Sequence, residues 1–299
     1  MTEDKKKDVD ELITECKKKW GKEDERTNNF EKLLPNWIAG LDENNCDVFI
    51  ELLKRFDYYP HDMVITILKK LYNHLITNNE ININNTIYTS IESKHGIENS
   101  SDEYITEFKY CNGINKYTVY DNIRKISNRD WAGISKVVFI DDCSGSGKTF
   151  IDYLKANKDK FIGKNIFLII IHIMEDALKQ INDYSKESKI CIEVIYGNKS
   201  AKALDNKIYD FSSEKVKEIV NYESNKVGIP QKEIYGFQNS ESLLAFYNNT
   251  PNNTLGVFRY NTSNNKAIFP RLDDVKPDRF KRNKKRENYN IKIRSRLDG

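Results

Sequence analysis

The fold is decided by one stretch of the sequence, Lys136-Val-Val-Phe-Ile-Asp141-Asp142-Cys143-Ser144-Gly145-Ser146-Gly147-Lys148-Thr149. An apolar run ends in two adjacent carboxylates, and small residues then lead into a helical pattern. This order predicts a parallel strand, a loop and a helix, a junction at which open α/β sheets bind ligands. The first N–H groups of a helix lack internal partners and favour an anion. Since carboxylates suit sugar hydroxyls or a metal ion, the stretch predicts a site for a phosphorylated sugar or a nucleotide.

A second pattern overlaps the same stretch. Residues 147–149, Gly-Lys-Thr, form the second half of the P-loop motif G-x-x-x-x-G-K-[ST]. The first glycine of that motif would fall at Asp142, whose carboxylate would repel a phosphate from the N–H groups of the loop. An ordinary strand-to-helix turn with two solvated acids is a third interpretation, but such turns seldom need so many small residues. The acids therefore favour a sugar phosphate over a P-loop nucleotide.

Strands and helices alternate along the middle of the chain. Apolar runs at residues 86–91, 137–140, 166–171 and 190–195 predict strands. The run at 166–171 is apolar throughout, which is typical of a central strand covered on both faces. Helical patterns occupy residues 103–110, the segment from Phe150, residues 175–186 and residues 213–227. The alternation predicts an α/β fold with a doubly wound, mostly parallel sheet.

The flanking segments differ in pattern from this core. Residues 1–80 have apolar side chains at helical spacing and predict a helical N-terminal extension. We assign residues 81–235 to the core, 236–275 to a C-terminal α+β cap and 276–299 to a basic tail. Residues 240–248 are expected to form a short amphipathic helix, which leads into an Asn-, Thr- and Pro-rich loop at 249–255. Such side chains fix irregular loops, and loops of this kind also line ligand pockets.

Composition predicts a cytoplasmic protein without a membrane segment. The chain starts without the apolar core of a signal peptide, and its longest apolar stretch, residues 166–174, is too short to span a bilayer. The five cysteines are scattered and include no C-x-x-C pair, which favours reduced thiols over disulfides or a zinc site.

The charge is unevenly distributed. Lys and Arg number 48 against 45 Asp and Glu, and a net charge of +3 is too balanced to imply nucleic acid as a partner of the whole chain. Residues 276–299, in contrast, are strongly basic. A basic tail binds phosphate backbones, so nucleic acid is a candidate partner of this segment. The same composition is also typical of a solvated end.

The loop after the acids resembles the ribose-5-phosphate loop of type I phosphoribosyltransferases, in which two acids and three variable residues precede Thr/Ser-Gly-x-Thr/Ser. Residues 141–149 fit that pattern without a gap. More of the chain resembles the PRTase-CE family, phosphoribosyltransferase-like proteins of bacterial conflict systems. The segments that carry this resemblance, which covers most of residues 37–271, are 56–59, 100–101, 139–149, 249–255 and 268–271.

The resemblance implies a type I phosphoribosyltransferase core that binds phosphoribosyl pyrophosphate (PRPP) with Mg²⁺. Asp141 and Asp142 would be the catalytic acids, holding the ribose hydroxyls directly or as ligands of the metal ion. The loop that would hold the 5′-phosphate comprises Ser144, Gly145, Ser146, Gly147, Lys148 and Thr149. Pyrophosphate is expected near Lys94 and Gly96, which follow the first core strand. The acceptor is expected near Thr250, Asn252 and Asn253.

Three positions carry particular expectations. His172 ends the central strand and is a candidate acid or base, although a core histidine fits the same position. Purine phosphoribosyltransferases often have an acid where this chain has Gly145, so a reaction on hypoxanthine or guanine is not expected. Lys148 is either a phosphate contact or a solvent-facing lysine of the first helical turn.

The resemblance also implies an effector of antiphage defence, restrained by partner subunits such as an ATPase or a retron reverse transcriptase, that transfers or cleaves at the ribose C1. Two other functions stay open. The chain could serve as a non-catalytic subunit that binds PRPP or a nucleotide, or it could bind or modify nucleic acid through its basic tail.

Overall fold

The computed structural model of the protein describes residues 3–21, 23–92, 100–205 and 207–272. Its helices are α1 (Glu3–Trp20), α2 (Glu25–Ala39), α3 (Cys46–Arg55), α4 (His61–Asn78), α5 (Ser100–Asn112), α6 (Asn128–Gly133), α7 (Lys148–Ala156), α8 (Lys158–Phe161), α9 (Glu175–Ser188), α10 (Ser213–Lys226), α11 (Gln231–Ile234) and α12 (Gly256–Arg259). Its strands are β1 (Asp57–Tyr59), β2 (Thr86–Ser90), β3 (Val119–Tyr120), β4 (Lys136–Ser144), β5 (Asn165–Met174), β6 (Cys191–Ser200) and β7 (Leu244–Phe246). Lys94, Gly96 and the basic tail, residues 276–299, lie outside the described residues.

Five strands form one sheet in the order β3–β2–β4–β5–β6, and every neighbouring pair is parallel. β5 lies between β4 and β6, and all of its residues after Asn165 are buried. Helices α7 and α9 pack on one face of the sheet, and α4 and α5 pack on the other. This arrangement confirms the predicted doubly wound, mostly parallel α/β fold, in which the central strand is shielded on both faces.

The strand order changes direction between β2 and β4. The chain places β3 on one side of β2, and β4, β5 and β6 on the other. A crevice opens at the carboxyl ends of the strands at such a point, and ligands of α/β proteins bind there. Ser90, the last residue of β2, pairs with Ile140, so Asp141 emerges directly beside the end of β2. The topology therefore places the two acids at the sheet's expected ligand site.

A second sheet consists of two parallel strands, β1 and β7, with Tyr58 opposite Ala245. The expected helix at residues 240–248 is wrong, because residues 244–246 extend as β7. All three residues of β7 are buried. A short apolar run of this kind fits either a helix or a buried strand, and the sequence alone does not show that β1 pairs with it. β1 likewise interrupts the helical pattern of the first 80 residues.

The N-terminal helices and the C-terminal segment share one hydrophobic cluster. Phe269 stacks on Phe56 with ring centroids 4.8 Å apart and on Phe30 at 5.5 Å, and Trp20 meets it edge-on at 5.5 Å. Helices α10 and α12 bury apolar side chains in this cluster, whereas α4 packs against the five-stranded sheet. The cluster therefore joins segments that lie more than 200 positions apart in the sequence.

Two further observations concern the helices and the cysteines. Within the described ranges, no helix is both long enough and apolar enough to cross a bilayer. All five cysteines are free thiols.

Candidate functional site

A cavity of about 680 Å³ opens at the carboxyl ends of β2 and β4. One part of its lining, here called the acidic wall, comprises residues 101–103 at the start of α5 and residues 141–149. The other part, here called the amide wall, comprises Phe237, residues 248–253 and Arg271. The acid pair and the small-residue loop are contiguous in the sequence. The cavity brings them together with the Asn-rich loop, which lies about 100 positions later.

Asp141 and Asp142 are held by hydrogen bonds at the base of the acidic wall. One carboxylate oxygen of Asp141, Oδ1, accepts from the Ser101 hydroxyl at 2.7 Å and from the Asp142 N–H at 3.0 Å. Oδ1 of Asp142 accepts from the Cys143 N–H at 2.7 Å. Burial, followed by the charge of Asp142, raises the pKa of Asp141 well above its usual range. A cation or a set of hydroxyl donors would relieve this repulsion, so the pair suits a ligand that supplies either.

The donor set of the acid pair fits Mg²⁺. This ion prefers oxygen ligands, keeps several waters, and in phosphate-binding sites uses one or two carboxylates together with substrate phosphates. Two adjacent aspartates on the cavity wall provide such carboxylates. Among the residues that the structure describes, no cluster of three or more His, Cys, Asp or Glu side chains could hold a metal by itself. Water and substrate phosphates would have to complete the coordination of an ion here.

The loop between the acids and α7 is short. β4 continues through both acids to Ser144 and α7 begins at Lys148, so residues 145–147 alone connect them. Gly147 starts the helix with φ of +71° and donates its N–H to the Ser144 hydroxyl at 3.1 Å. The N-terminus of α7 therefore borders the cavity, where it favours an anion. A P-loop wraps its main chain around a phosphate before its helix, and three residues are too few for that path.

Gly145 is the point at which the two walls touch. A Cβ atom at this position would collide with the amide of Asn253 and would lie 2.5 Å from the Ser240 hydroxyl. The Asn253 amide donates to that hydroxyl at 2.9 Å, and Ser240 in turn donates to the Phe237 carbonyl. An acid at position 145 would therefore have no space, because the amide of Asn253 already occupies it.

Thr250 holds the amide wall in place, because its N–H, its hydroxyl and its carbonyl all make hydrogen bonds. Its N–H donates to the Asn249 side chain at 2.8 Å, and its hydroxyl donates to the Phe269 carbonyl at 2.8 Å. The same hydroxyl accepts from the Arg26 guanidinium at 2.6 Å, and the Thr250 carbonyl accepts from Arg271 at 3.1 Å. Thr250 is fully buried, so the structure gives it a role in shaping the wall. Asn252, in contrast, is exposed on the wall.

Sequence reasoning did not predict several residues of the two walls as site residues: Ser101, Asp102, Glu103, Phe237, Asn248 and Arg271. The residues at 101–103 begin the helix after β2, and that position alone could have placed them on the same edge as Asp141. The hydroxyl of Ser90 donates to the Asp102 carboxylate at 2.6 Å and ties this helix to the end of β2. No local signal points to Phe237 or Arg271, which reach the cavity through long-range packing.

Lys148 lines the cavity, but its ammonium is engaged along its own helix. It pairs with Asp152 one turn later, with Nζ and the carboxylate oxygen 3.0 Å apart, and 51% of its side chain is exposed. The arrangement matches the expectation of a solvent-facing lysine in the first helical turn.

His172 does not line the cavity. Its Nδ1 lies 2.7 Å from the Tyr59 hydroxyl and its Nε2 lies 2.8 Å from the Ser200 hydroxyl. The Asn198 amide donates to Tyr59 at 2.8 Å, and Ser200 donates to the Met174 sulfur at 3.3 Å. Burial lowers the pKa of His172 to about 4, so the imidazole is neutral at pH 7. The histidine joins β1 to the five-stranded sheet within a buried polar network.

Comparisons with known proteins place the chain in a family. The family model of PRTase-CE matches residues 34–271, a range that includes the whole five-stranded sheet and both walls of the cavity. No curated protein matched the chain in a sequence search. The matched range also contains the Asp141–Thr149 loop and the Asn-rich loop on which the resemblance was based. The chain belongs to the PRTase-CE family of phosphoribosyltransferase-like conflict-system effectors.

Proposed function

We infer that the cavity binds PRPP, or a related ribose 5-phosphate nucleotide, together with Mg²⁺, and that the chain transfers or cleaves at the ribose C1 as an effector of antiphage defence. One observation carries this function. The acid pair and the N-terminus of α7 line one cavity at the point where the strand order changes direction. Carboxylates that accept hydrogen bonds from hydroxyls therefore lie next to main-chain N–H groups that favour a phosphate.

Each wall has a distinct task in this function. Asp141 and Asp142 accept hydrogen bonds from the ribose 2′- and 3′-hydroxyls, and either acid also serves as a ligand of Mg²⁺. When bound, Mg²⁺ would offset the negative charge of the substrate phosphates. Residues 144–149 hold the 5′-phosphate at the start of α7, where the helix dipole adds to the N–H groups. The amide wall receives the acceptor.

The chemical step follows from this placement. The bond between C1 and the diphosphate oxygen breaks, and its electron pair leaves with pyrophosphate. Positive charge develops at C1, and fixed negative charge from the acid pair stabilises it without a covalent adduct to the protein. The position at Gly145 holds no acid, so deprotonation of the acceptor depends on pyrophosphate or water.

In the conflict system, the effector is restrained by a partner subunit until infection. An ATPase or a retron reverse transcriptase is the kind of partner that we expect, as the resemblance to conflict-system effectors implies. Co-purification of the full chain with its neighbouring gene products, followed by activity measurement before and after their release, tests this restraint. Equal activity of the bound and the released chain would contradict it.

Ligand binding is tested by calorimetric titration of the full chain with PRPP and Mg²⁺. Asp141→Asn and Asp142→Asn should each weaken binding by about thirtyfold, because a hydrogen bond to a charged group contributes roughly 2 kcal/mol. Asp183→Asn is the matched control, since this aspartate lies on α9 outside the cavity lining. Equal affinity of the two cavity variants and the control would overturn the proposal. Binding of ATP in place of PRPP would restore the P-loop interpretation.

A second function, ligand binding without turnover, is favoured by the contact between Gly145 and Asn253. The amide of Asn253 fills the space in which purine phosphoribosyltransferases often carry an acid. A chain that binds Mg-PRPP but releases no pyrophosphate with any acceptor or with water would be a sensor. Measurement of pyrophosphate release therefore separates the two functions.

A further inference from the structure

β6 is an exposed edge of the large sheet. It is the last strand in the order β3–β2–β4–β5–β6, and β5 is its one strand partner within the described residues. The strand runs for ten residues without a proline and keeps a single register against β5, whereas the opposite edge, β3, is two residues long. A long edge strand presents a row of main-chain groups with which another strand can pair. This edge can therefore accept a further strand.

The hydrogen bonds of β6 show which of its main-chain groups point outward. The Ile192 N–H donates to the Ser185 hydroxyl of α9 at 3.2 Å and thus points away from β5. Successive residues of a strand direct their main-chain groups to opposite sides, so those of Val194 and Tyr196 also point outward, and those of Ile195 point to β5. In the described part of the chain, no group bonds to the outward N–H and C=O of Val194 or Tyr196. An added strand would pair with these groups.

A groove of about 510 Å³, here called the edge groove, lies between β6 and α4. It is lined by Ile67, Lys70, Leu71 and His74 of α4 and by residues 194–198 of β6. Leu71 and Ile195 are buried, and Tyr196 is 39% exposed. Extended peptides bind beside edge strands through main-chain hydrogen bonds, and pockets for alternate side chains give the specificity. The edge groove is such a pocket, and its lining favours an apolar side chain.

Lysines flank this edge on both faces of the sheet. Lys70 belongs to the edge groove on the α4 side, and Lys179 lines a second groove of about 300 Å³ on the α9 side. Both lysines are exposed, and no carboxylate of the described residues lies within ion-pair distance of either. β6 itself contains one acid, Glu193, and one base, Lys199, so a second copy of the strand would bring no net charge to these lysines. Carboxylates on an added strand would complement them.

We propose that β6 and the edge groove bind an extended, acidic segment of a partner protein, which joins the large sheet as an additional edge strand. The main chain of the segment bonds to the outward groups of Val194 and Tyr196. One of its apolar side chains fills the edge groove, and its carboxylates meet Lys70 and Lys179. The inference is independent of PRPP binding, because the edge groove and the cavity share no lining residue.

The probe is a capped, fluorescein-labelled peptide, Val-Val-Glu-Glu-Val-Val-Glu-Glu, which in an extended conformation presents valine and glutamate in turn on each face. Its counterparts are the same peptide with lysine in place of glutamate, and the same peptide with every amide N-methylated, which cannot donate hydrogen bonds. Binding to the full chain is measured by fluorescence anisotropy. Lys70→Glu is compared with Lys69→Glu, a matched control because Lys69 is also exposed on α4 but does not line the edge groove.

We expect the glutamate peptide to bind roughly tenfold more tightly than either counterpart. Lys70→Glu should weaken its binding about tenfold and Lys69→Glu less than about twofold, since salt screens the more distant charge. Amide hydrogen exchange gives a readout that needs no variant. Bound peptide should slow exchange at Val194 and Tyr196 about tenfold or more, and should change exchange at Ile195, whose N–H already points to β5, less than about twofold.

Three results would contradict the inference: no binding of the glutamate peptide, equal binding of the N-methylated peptide, or unchanged exchange at Val194 and Tyr196 in the presence of peptide. A free protein that sediments as a dimer, with these two amides already protected, would assign the edge to a second copy of the chain instead. Displacement of the peptide by a single-stranded oligonucleotide, with the same sensitivity to Lys70→Glu, would assign the edge to nucleic acid.

Discussion

The two walls of the cavity are built in opposite ways. The central part of the acidic wall is a continuous run of nine residues at the junction of β4 and α7, and its position follows from the sheet alone. The amide wall combines three separate stretches, Phe237, residues 248–253 and Arg271, and it depends on hydrogen bonds that involve Arg26, Phe269 and Ser240. Local sequence therefore determines the acidic wall, whereas tertiary packing determines the amide wall.

The largest expected effect tests whether packing really holds the amide wall. Gly236 has φ of +74° and ψ of 174°, a conformation that is essentially restricted to glycine, and a Cβ there would collide with the Asn253 carbonyl. Gly236→Ala should lower the free energy of unfolding by roughly 4 kcal/mol, from backbone strain and overpacking together. Denaturant unfolding measures the loss.

Gly163→Ala is the matched control for this substitution. Gly163 also has a positive φ, +76°, but a Cβ there would meet nothing within 4 Å. We expect a loss of about 1 kcal/mol from strain alone. Equal losses at the two positions would show that the amide wall does not press on Gly236.

The next effect concerns His172, which belongs to neither wall. Burial holds its folded-state pKa at about 4, below its ordinary value of 6.5, so the unfolded chain binds a proton more readily between these pH values. Stability is therefore fully present above pH 6.5 and falls as the pH drops towards 4, by up to about 3 kcal/mol.

Thermal unfolding between pH 4 and 7 measures this loss. The unfolding temperature of the His172→Gln protein should depend less steeply on pH than that of the unaltered protein. Because His172 does not line the cavity, the variant should keep its affinity for Mg-PRPP at pH 7. Loss of catalysis in the His172→Gln protein at unchanged stability would instead indicate that His172 acts as an acid or base.

A smaller effect tests the link between α2 and the amide wall. Arg26 donates to the Thr250 hydroxyl at 2.6 Å and to the Pro270 carbonyl at 3.0 Å. A double-mutant cycle with Arg26→Met and Thr250→Val should give a coupling free energy of about 1.5–3 kcal/mol, the usual range for a hydrogen bond to a charged group. Arg26→Met combined with Lys125→Met, at an exposed position of another segment, should be additive.

The smallest effect is expected on the acidic wall itself. Lys148→Met removes a one-turn ion pair with Asp152 and should change stability by less than about 0.5 kcal/mol. Affinity for Mg-PRPP should stay within twofold, as measured by calorimetry. A tenfold loss would mean that the ammonium leaves Asp152 and binds the phosphate.

The same contrast explains what the sequence could predict. β4, β5 and α7 were predicted because long apolar runs, a pair of acids and a glycine-rich turn are local signals. β7 was mistaken for a helix because its partner, β1, lies almost 190 residues earlier in the chain. β6 extends to Ser200, beyond the predicted end at residue 195, because its last residues are polar and gain their hydrogen bonds from β5. Arg271 and Phe237 were not predicted at the site, since neither lies in a periodic pattern that points to a cavity.

The stacking of Phe269 on Phe30 and Phe56 determines when the cavity can form during translation. A ribosome delivers the chain from its N-terminus, and domains begin to fold during synthesis. All five strands of the large sheet have been made once residue 200 has emerged, and Asp141 and Asp142 are then in place. The opposite side of the pocket takes shape only after residue 269 docks on rings translated more than 200 codons before it. A translation product that stalls before residue 269 therefore lacks a complete cavity, and any activity that needs both walls begins only after that residue has been made.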